Sequence, residues 1–207
     1  METIELVGSA VQSASPGASA APGLRYAYKA SLIGAAQQFE LNDQGLSWRI
    51  GRKSGVWPYA GIAKVRLSYR PVSMQSRRFR ADIENAGGER LSVVSATWQT
   101  VALMAPQDAD YRAFIVALHQ RMQQAGSAAL LRGGLAPAVH IAAMAAMALV
   151  ALAMAGLLAR AVATGEAGGV LFLAGFAALF GWQIGGFIRR NRPCNYTFGA
   201  LPKQLLP

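Results

Sequence analysis

Two long stretches without a charged residue constrain this chain more than any of its other features. Residues 133–159 contain no Asp, Glu, Lys or Arg over 27 positions, and residues 167–188 contain none over 22. A helix rises about 1.5 Å per residue, so roughly 20 apolar residues cross a hydrocarbon core about 30 Å thick. The buried helix of a soluble domain rarely runs that far without a charge. The two stretches therefore read as a transmembrane hairpin, with helices over 136–159 and 168–188 and a short loop at 160–167.

Charge gives the hairpin a direction. Lys and Arg in short flanking segments are retained on the cytoplasmic side. The loop holds only Arg160 against Glu166, whereas Arg189, Arg190 and Arg192 follow the second helix and Arg132 precedes the first. The expectation is a bacterial inner-membrane protein with both termini in the cytoplasm and the loop in the periplasm. The formal net charge is +10, with 16 Arg and 4 Lys, and this Arg excess beside abundant Ala and Gly suggests a GC-rich bacterial genome. The chain opens with Glu2 and Glu5 and has no basic start or apolar run of secretory type. Residues 1–23, rich in Ser, Ala, Pro and Gly towards their end, read as a flexible segment.

Residues 24–125 read as about seven short strands closed by a helix. Alternating apolar and polar positions predict strands over 26–33, 38–41, 46–50, 54–59, 62–69, 78–83 and 90–95. Asn42-Asp43-Gln44-Gly45 and Asn85-Ala86-Gly87-Gly88 supply turns. The period then changes. Tyr111, Phe114, Ile115, Leu118 and Met122 fall on one helical face, with Asp108 or Asp110 as candidate cap and Arg121 in the last turn.

Seven strands followed by one amphipathic helix resemble a pleckstrin-homology-like domain of the bacterial, membrane-associated kind. The segment Leu41-Asn42-Asp43-Gln44-Gly45-Leu46 followed by Val56-Trp57-Pro58-Tyr59-Ala60-Gly61-Ile62 is similar to the wording of that family, in which a Pro-Tyr pair stands shortly before an Ile and a strand. The resemblance covers about 100 residues and implies an α+β fold: a seven-stranded β-barrel or sandwich with a C-terminal helix, ahead of the transmembrane hairpin. Members of the family share a fold and not an activity; some bind phosphoinositides and others bind proteins. Residues 126–135 are then a juxtamembrane linker and 189–207 a cytoplasmic tail.

No catalytic constellation is evident. His119 and His140 have no carboxylate or serine at a recognised spacing, and no phosphate loop, dinucleotide fingerprint, zinc-protease motif or Cys pair is present. The single cysteine, Cys194, allows no internal disulfide; beside the second span it is either acylated or a plain thiol. The chain is thus expected to be no enzyme and to use no cofactor or metal.

Charge is the remaining signal. Between Asp43 and Asp82 stand nine basic residues and no acid: Arg49, Arg52, Lys53, Lys64, Arg66, Arg70, Arg77, Arg78 and Arg80. Trp48, Trp57, Tyr59 and Tyr69 are interleaved with them. Beside an anionic leaflet each Lys or Arg contributes about 1 kcal/mol, so these nine are candidates for contact with lipid headgroups or a protein partner. A solvated basic exterior is the alternative, and nucleic acid is not expected without a recognised motif. Within the hairpin, Gly181 and Gly185 form a small-residue pair suited to close helix packing, against the first span or against another copy. His140 and Gln183 lie at similar depth, and face each other, face a water-filled crevice between the helices, or reach separately towards the headgroups. The tail carries Phe198, Leu201, Leu205 and Leu206, and packs on the domain or lies on the membrane. The function expected is a membrane-anchored binding or scaffold module, with an accessory subunit of a transport or envelope-assembly complex as the alternative. Membrane lipids are the expected partners, with a membrane protein or a second copy also open.

Overall fold

The structure, a computed structural model, describes residues 23–31, 34–71, 77–99 and 104–207. Residues 1–22 of the lead-in, and Leu32 and Ile33 of the first expected strand, lie outside them. The architecture is α+β, with antiparallel sheets in the first part of the chain and two long apolar helices near its end. Strands β1 (Leu24–Tyr28), β2 (Gln37–Asn42), β3 (Gly45–Ile50) and β4 (Lys53–Trp57) form one four-stranded meander. Strands β5 (Ile62–Tyr69), β6 (Phe79–Asn85) and β7 (Arg90–Val94) form a second. Each of the seven expected strands has a counterpart here, but the first ends at Tyr28 and the fourth at Trp57, with Tyr59 in a short 3-10 turn that follows Pro58. Strands β8 (Ala96–Trp98) and β9 (Met104–Pro106) add a small ladder. Helix α1 (Asp108–Gln124) follows.

One apolar core joins the two meanders and the helix. Tyr26, Phe39 and Leu46 enter it from the first sheet, and Val65, Leu67, Phe79 and Ile83 from the second. The stripe predicted for α1, Tyr111, Phe114, Ile115, Leu118 and Met122, is buried in full. Phe114 packs edge-on to Phe39 with ring centroids 6.4 Å apart. Gln107 takes the N-cap position without a side-chain cap, while Asp108 and Asp110 fall in the first turn, where they face the positive helix end. The sheets do not close into a barrel: among the described residues β4 and β5 share no ladder.

The free edge of β5 is taken by a strand that the sequence pattern did not signal. Residues 126–135, expected as a linker, hold β10 (Leu130–Gly133), which lies parallel to β5 with Leu131 opposite Val65 and Arg132 opposite Arg66. Helix α2 (Pro137–Ala163) leaves from there and α3 (Ala167–Arg190) returns. Both are long and apolar enough to cross a membrane. They overrun the expected limits, so the connection shrinks to residues 164–166 and Arg189 and Arg190 belong to the helix. After α3, strand β11 (Cys194–Asn195) pairs antiparallel with β10. The hairpin is therefore inserted between two adjacent strands of the domain's own sheet.

The feet of the hairpin are closely tied. Leu135 N–H donates to the Asn191 carbonyl at 2.9 Å, and Gly134 N–H to the Leu67 carbonyl at 2.8 Å. Gly134 has φ +77°, and a Cβ there would stand 2.4 Å from the carbonyl oxygens of Asn191 and Arg192, so only glycine lets the two feet approach. The tail then folds back on the domain. Leu205 and Leu206 enter the main core, with Tyr196, Phe198 and Leu201 packed at its margin. This decides between the two placements open for the tail.

Candidate functional site

The outer face of the second sheet carries a ladder of charges set by strand register. Lys64 and Arg66 project from β5, Arg80, Asp82 and Glu84 from β6, Arg90 and Ser92 from β7, and Arg132 from β10. Register brings acids onto part of this cationic face. Lys64 Nζ lies 3.5 Å from Glu84, whose carboxylate also takes Arg90 at 3.0 Å. Arg80 Nε lies 2.7 Å from Asp82, and its Nη2 donates to Ser92 at 2.9 Å. The Ser92 hydroxyl donates in turn to Asp82 at 2.6 Å. Lys64 and Arg80 are thereby partly neutralised. Arg66 and Arg132 have no acidic partner among the described residues. With Leu135, Pro137, Pro193 and Asn195 they line a cavity of about 300 Å3 at the base of the hairpin.

The other candidate cations lie elsewhere. Arg70 and Arg78 face each other across the end of the β5–β6 ladder, with Arg78 Nε donating to the Arg70 carbonyl at 3.2 Å. Burial, then the neighbouring Arg80 and Arg70 guanidiniums, push Arg78 below the usual arginine range. Arg77 is exposed beside them. Arg49, Arg52 and Lys53 are exposed around the β3–β4 turn, where Arg49 opposes Ser54. The nine residues thus fall into three groups. Of the interleaved aromatics, Trp57 and Tyr59 are buried in the core and Trp48 packs edge-on to Trp57. Tyr69 is covered by the Arg190 guanidinium, 4.5 Å above its ring.

In the hairpin, a Cβ at Gly169 would stand 3.8 Å from that of Ala161, near the connection. A Cβ at Gly181 or Gly185 would meet nothing within 4 Å. His140 and Gln183 share no hydrogen bond. The Nδ1 of His140 is shielded without a partner, while Gln183 is exposed on a groove of about 720 Å3 shared with Trp182, Phe187, Arg189 and Tyr69. Burial raises the Cys194 thiol above its ordinary range, and its side chain lies over Gly133. Less thiolate means a weaker nucleophile. His119 is buried on α1, its Nδ1 2.7 Å from the Ile115 carbonyl and its Nε2 3.0 Å from the Tyr196 hydroxyl. The carbonyl can only accept, so Nδ1 carries the proton and Nε2 accepts from Tyr196. Among the described residues no three of His, Cys, Asp and Glu gather in a way that would hold a metal.

Comparison with protein-family models, curated proteins and solved structures finds no match for this chain.

Proposed function

We propose that this protein is a membrane-anchored binding or scaffold module without catalytic activity, resident in a bacterial inner membrane with both termini in the cytoplasm. The observation that carries this reading is the mounting of the two apolar helices. They leave and re-enter adjacent strands of a basic domain's sheet, so a bilayer that receives them holds that sheet at its surface. No residue of α2 is buried, and only Ile188 of α3 is. Leaving so much apolar surface in water is opposed by roughly 25 cal/mol per Å2, a penalty that hydrocarbon removes. The orientation is supported by Arg189, Arg190, Arg192 and Arg132 on the domain side against the near-neutral connection. A pleckstrin-homology-like assignment is supported by element order, four and then three meandering strands, a small ladder of β8 and β9, and a helix. The ligand of this module is an anionic lipid headgroup or a protein held beside one.

One observation favours the second reading, an accessory subunit of a membrane transport or envelope-assembly complex. The open space beside Gly185 leaves that part of α3 free for a helix of another chain, whereas Gly181 borders a cavity of about 300 Å3 against α2. Extraction of the full chain in mild detergent separates the two. Recovery without a stoichiometric partner, together with binding to anionic vesicles, supports the binding module. A stoichiometric membrane-protein partner supports the subunit. A reporter active only in the periplasm, fused after Pro207, is expected to stay silent; a strong signal reverses the orientation.

A further inference from the structure

We propose that Arg66, Arg132 and Asn195 form a site for the phosphodiester of an anionic phospholipid at the foot of the helix hairpin. This deepens the membrane reading above and rests on it. The three residues stand in one row across three neighbouring strands. Arg66 on β5 opposes Arg132 on β10, and Arg132 opposes Asn195 on β11. Neighbouring strands lie about 4.8 Å apart, so two guanidiniums and a carboxamide project side by side from the same face. Like charges directly opposite one another across strands are destabilising, and elsewhere on this sheet Lys64, Arg80 and Arg90 each have a carboxylate. Asp82 stands opposite Arg66 on β6, but its carboxylate is engaged by Arg80 and the Ser92 hydroxyl, and neither Arg66 nor Arg132 has an ion pair among the described residues. An anion between Arg66 and Arg132 removes the repulsion and accepts from fork-shaped donors suited to phosphate oxygens.

Position identifies the anion as lipid. The cavity of about 300 Å3 beneath these arginines is also lined by Leu135, Pro137 and Pro193, the residues through which the chain passes into and out of the apolar helices. A headgroup layer is roughly 5–8 Å deep on each face of a bilayer. A site bordered by the first residue of α2 therefore lies at phosphate depth, with apolar side chains on its membrane side to meet the glycerol and upper acyl carbons. Basic pockets at this level bind anionic headgroups.

The test uses the full chain in detergent micelles, titrated with phosphatidylglycerol, phosphatidylcholine or inorganic phosphate and followed by thermal unfolding. Phosphatidylglycerol is expected to raise the melting temperature saturably, and the other two are not. Replacing both arginines (Arg66→Gln with Arg132→Gln) is expected to weaken the phosphatidylglycerol response roughly thirtyfold. The charge-matched control (Lys29→Gln with Lys203→Gln) is expected to leave it unchanged. Should the double variant fail to fold, Asn195→Glu places a carboxylate opposite Arg132 and is expected to abolish selectivity in a folded chain. Equal responses to phosphatidylglycerol and phosphatidylcholine, or a selective response that survives in Asn195→Glu, overturn the site. A response to inorganic phosphate matching that to phosphatidylglycerol reassigns it to a free anion and overturns the lipid. Insertion into liposomes is scored separately by resistance to alkaline extraction. A chain that inserts without lipid selectivity refutes this site alone; a chain that does not insert refutes the membrane reading, and the site falls with it.

Discussion

Two buried polar side chains hold the parts of this molecule together. Asn191 is fully buried at the end of α3, and its amide takes both main-chain groups of Tyr69: Oδ1 accepts the Tyr69 N–H at 2.9 Å, and Nδ2 donates to the Tyr69 carbonyl at 2.8 Å. It thus joins the last residue of β5 to the returning helix. Its Nδ2 also lies 3.2 Å from the Phe187 carbonyl. Leaving a buried donor and acceptor unpaired costs about 1–3 kcal/mol, so Asn191→Ala is expected to lose about 2 kcal/mol, read as a lower melting temperature of the full chain in detergent. In the sequence, Asn191 before Arg192 and Pro193 marks only a helix end, because its partners lie 122 residues away. His119 makes the second link, from α1 to the tail through Tyr196. Burial holds its pKa below the ordinary histidine value. The unfolded chain therefore binds a proton more readily than the folded one, and stability falls as pH drops below about 6.5, levelling off beneath the lower folded value. Between pH 7 and 5 the wild type is expected to lose more stability than His119→Gln, which keeps an acceptor for Tyr196; identical slopes would remove His119 from this role.

Elements were legible to the extent that their signals were local. The seven strands of the two meanders and the stripe of α1 follow from alternation and helical period, because each buries one face against a single core. Strands β10 and β11 have no such signal. Leu130-Leu131-Arg132-Gly133 runs straight into the apolar stretch, and β11 is two residues long. Both exist because β5 offers an open edge, a non-local fact. The same limit applies to the candidate site. A run of nine cations is plain in the sequence, and Asp82 two residues after Arg80 on one strand face is local, but Glu84 reaches Lys64 only through the β5–β6 register and Arg132 joins Arg66 only through a parallel pairing. The tail's apolar residues were visible and their destination was not. Leu205 ends with no exposed surface in the core. Truncating such a side chain costs about 2–5 kcal/mol, so Leu205→Ala is expected to lower the melting temperature by that equivalent and to free the tail for early proteolysis. An unchanged melting temperature would mean that the tail does not belong to the core.

At the scale of the whole molecule, the domain is discontinuous and the hairpin is an insertion into it. Residues before β10 and after α3 build one sheet and one core, so the apolar helices cannot tilt freely on a slack linker. The nearness of Leu135 and Asn191, 2.9 Å from nitrogen to oxygen, means that the hairpin can be excised without pulling the sheet apart. Replacing residues 137–189 with a short Gly–Ser linker is expected to leave a folded domain, whereas a cut near Gly126 strips β10, β11 and the tail and exposes the edge of β5. The measurement that tests the membrane reading most directly is fractionation of both proteins after alkaline extraction of membranes. The full chain is expected to remain in the membrane pellet and float with lipid at high salt, and the hairpin-replaced chain to be soluble with cooperative unfolding. Recovery of the full chain in the soluble fraction, folded and free of lipid, would contradict it.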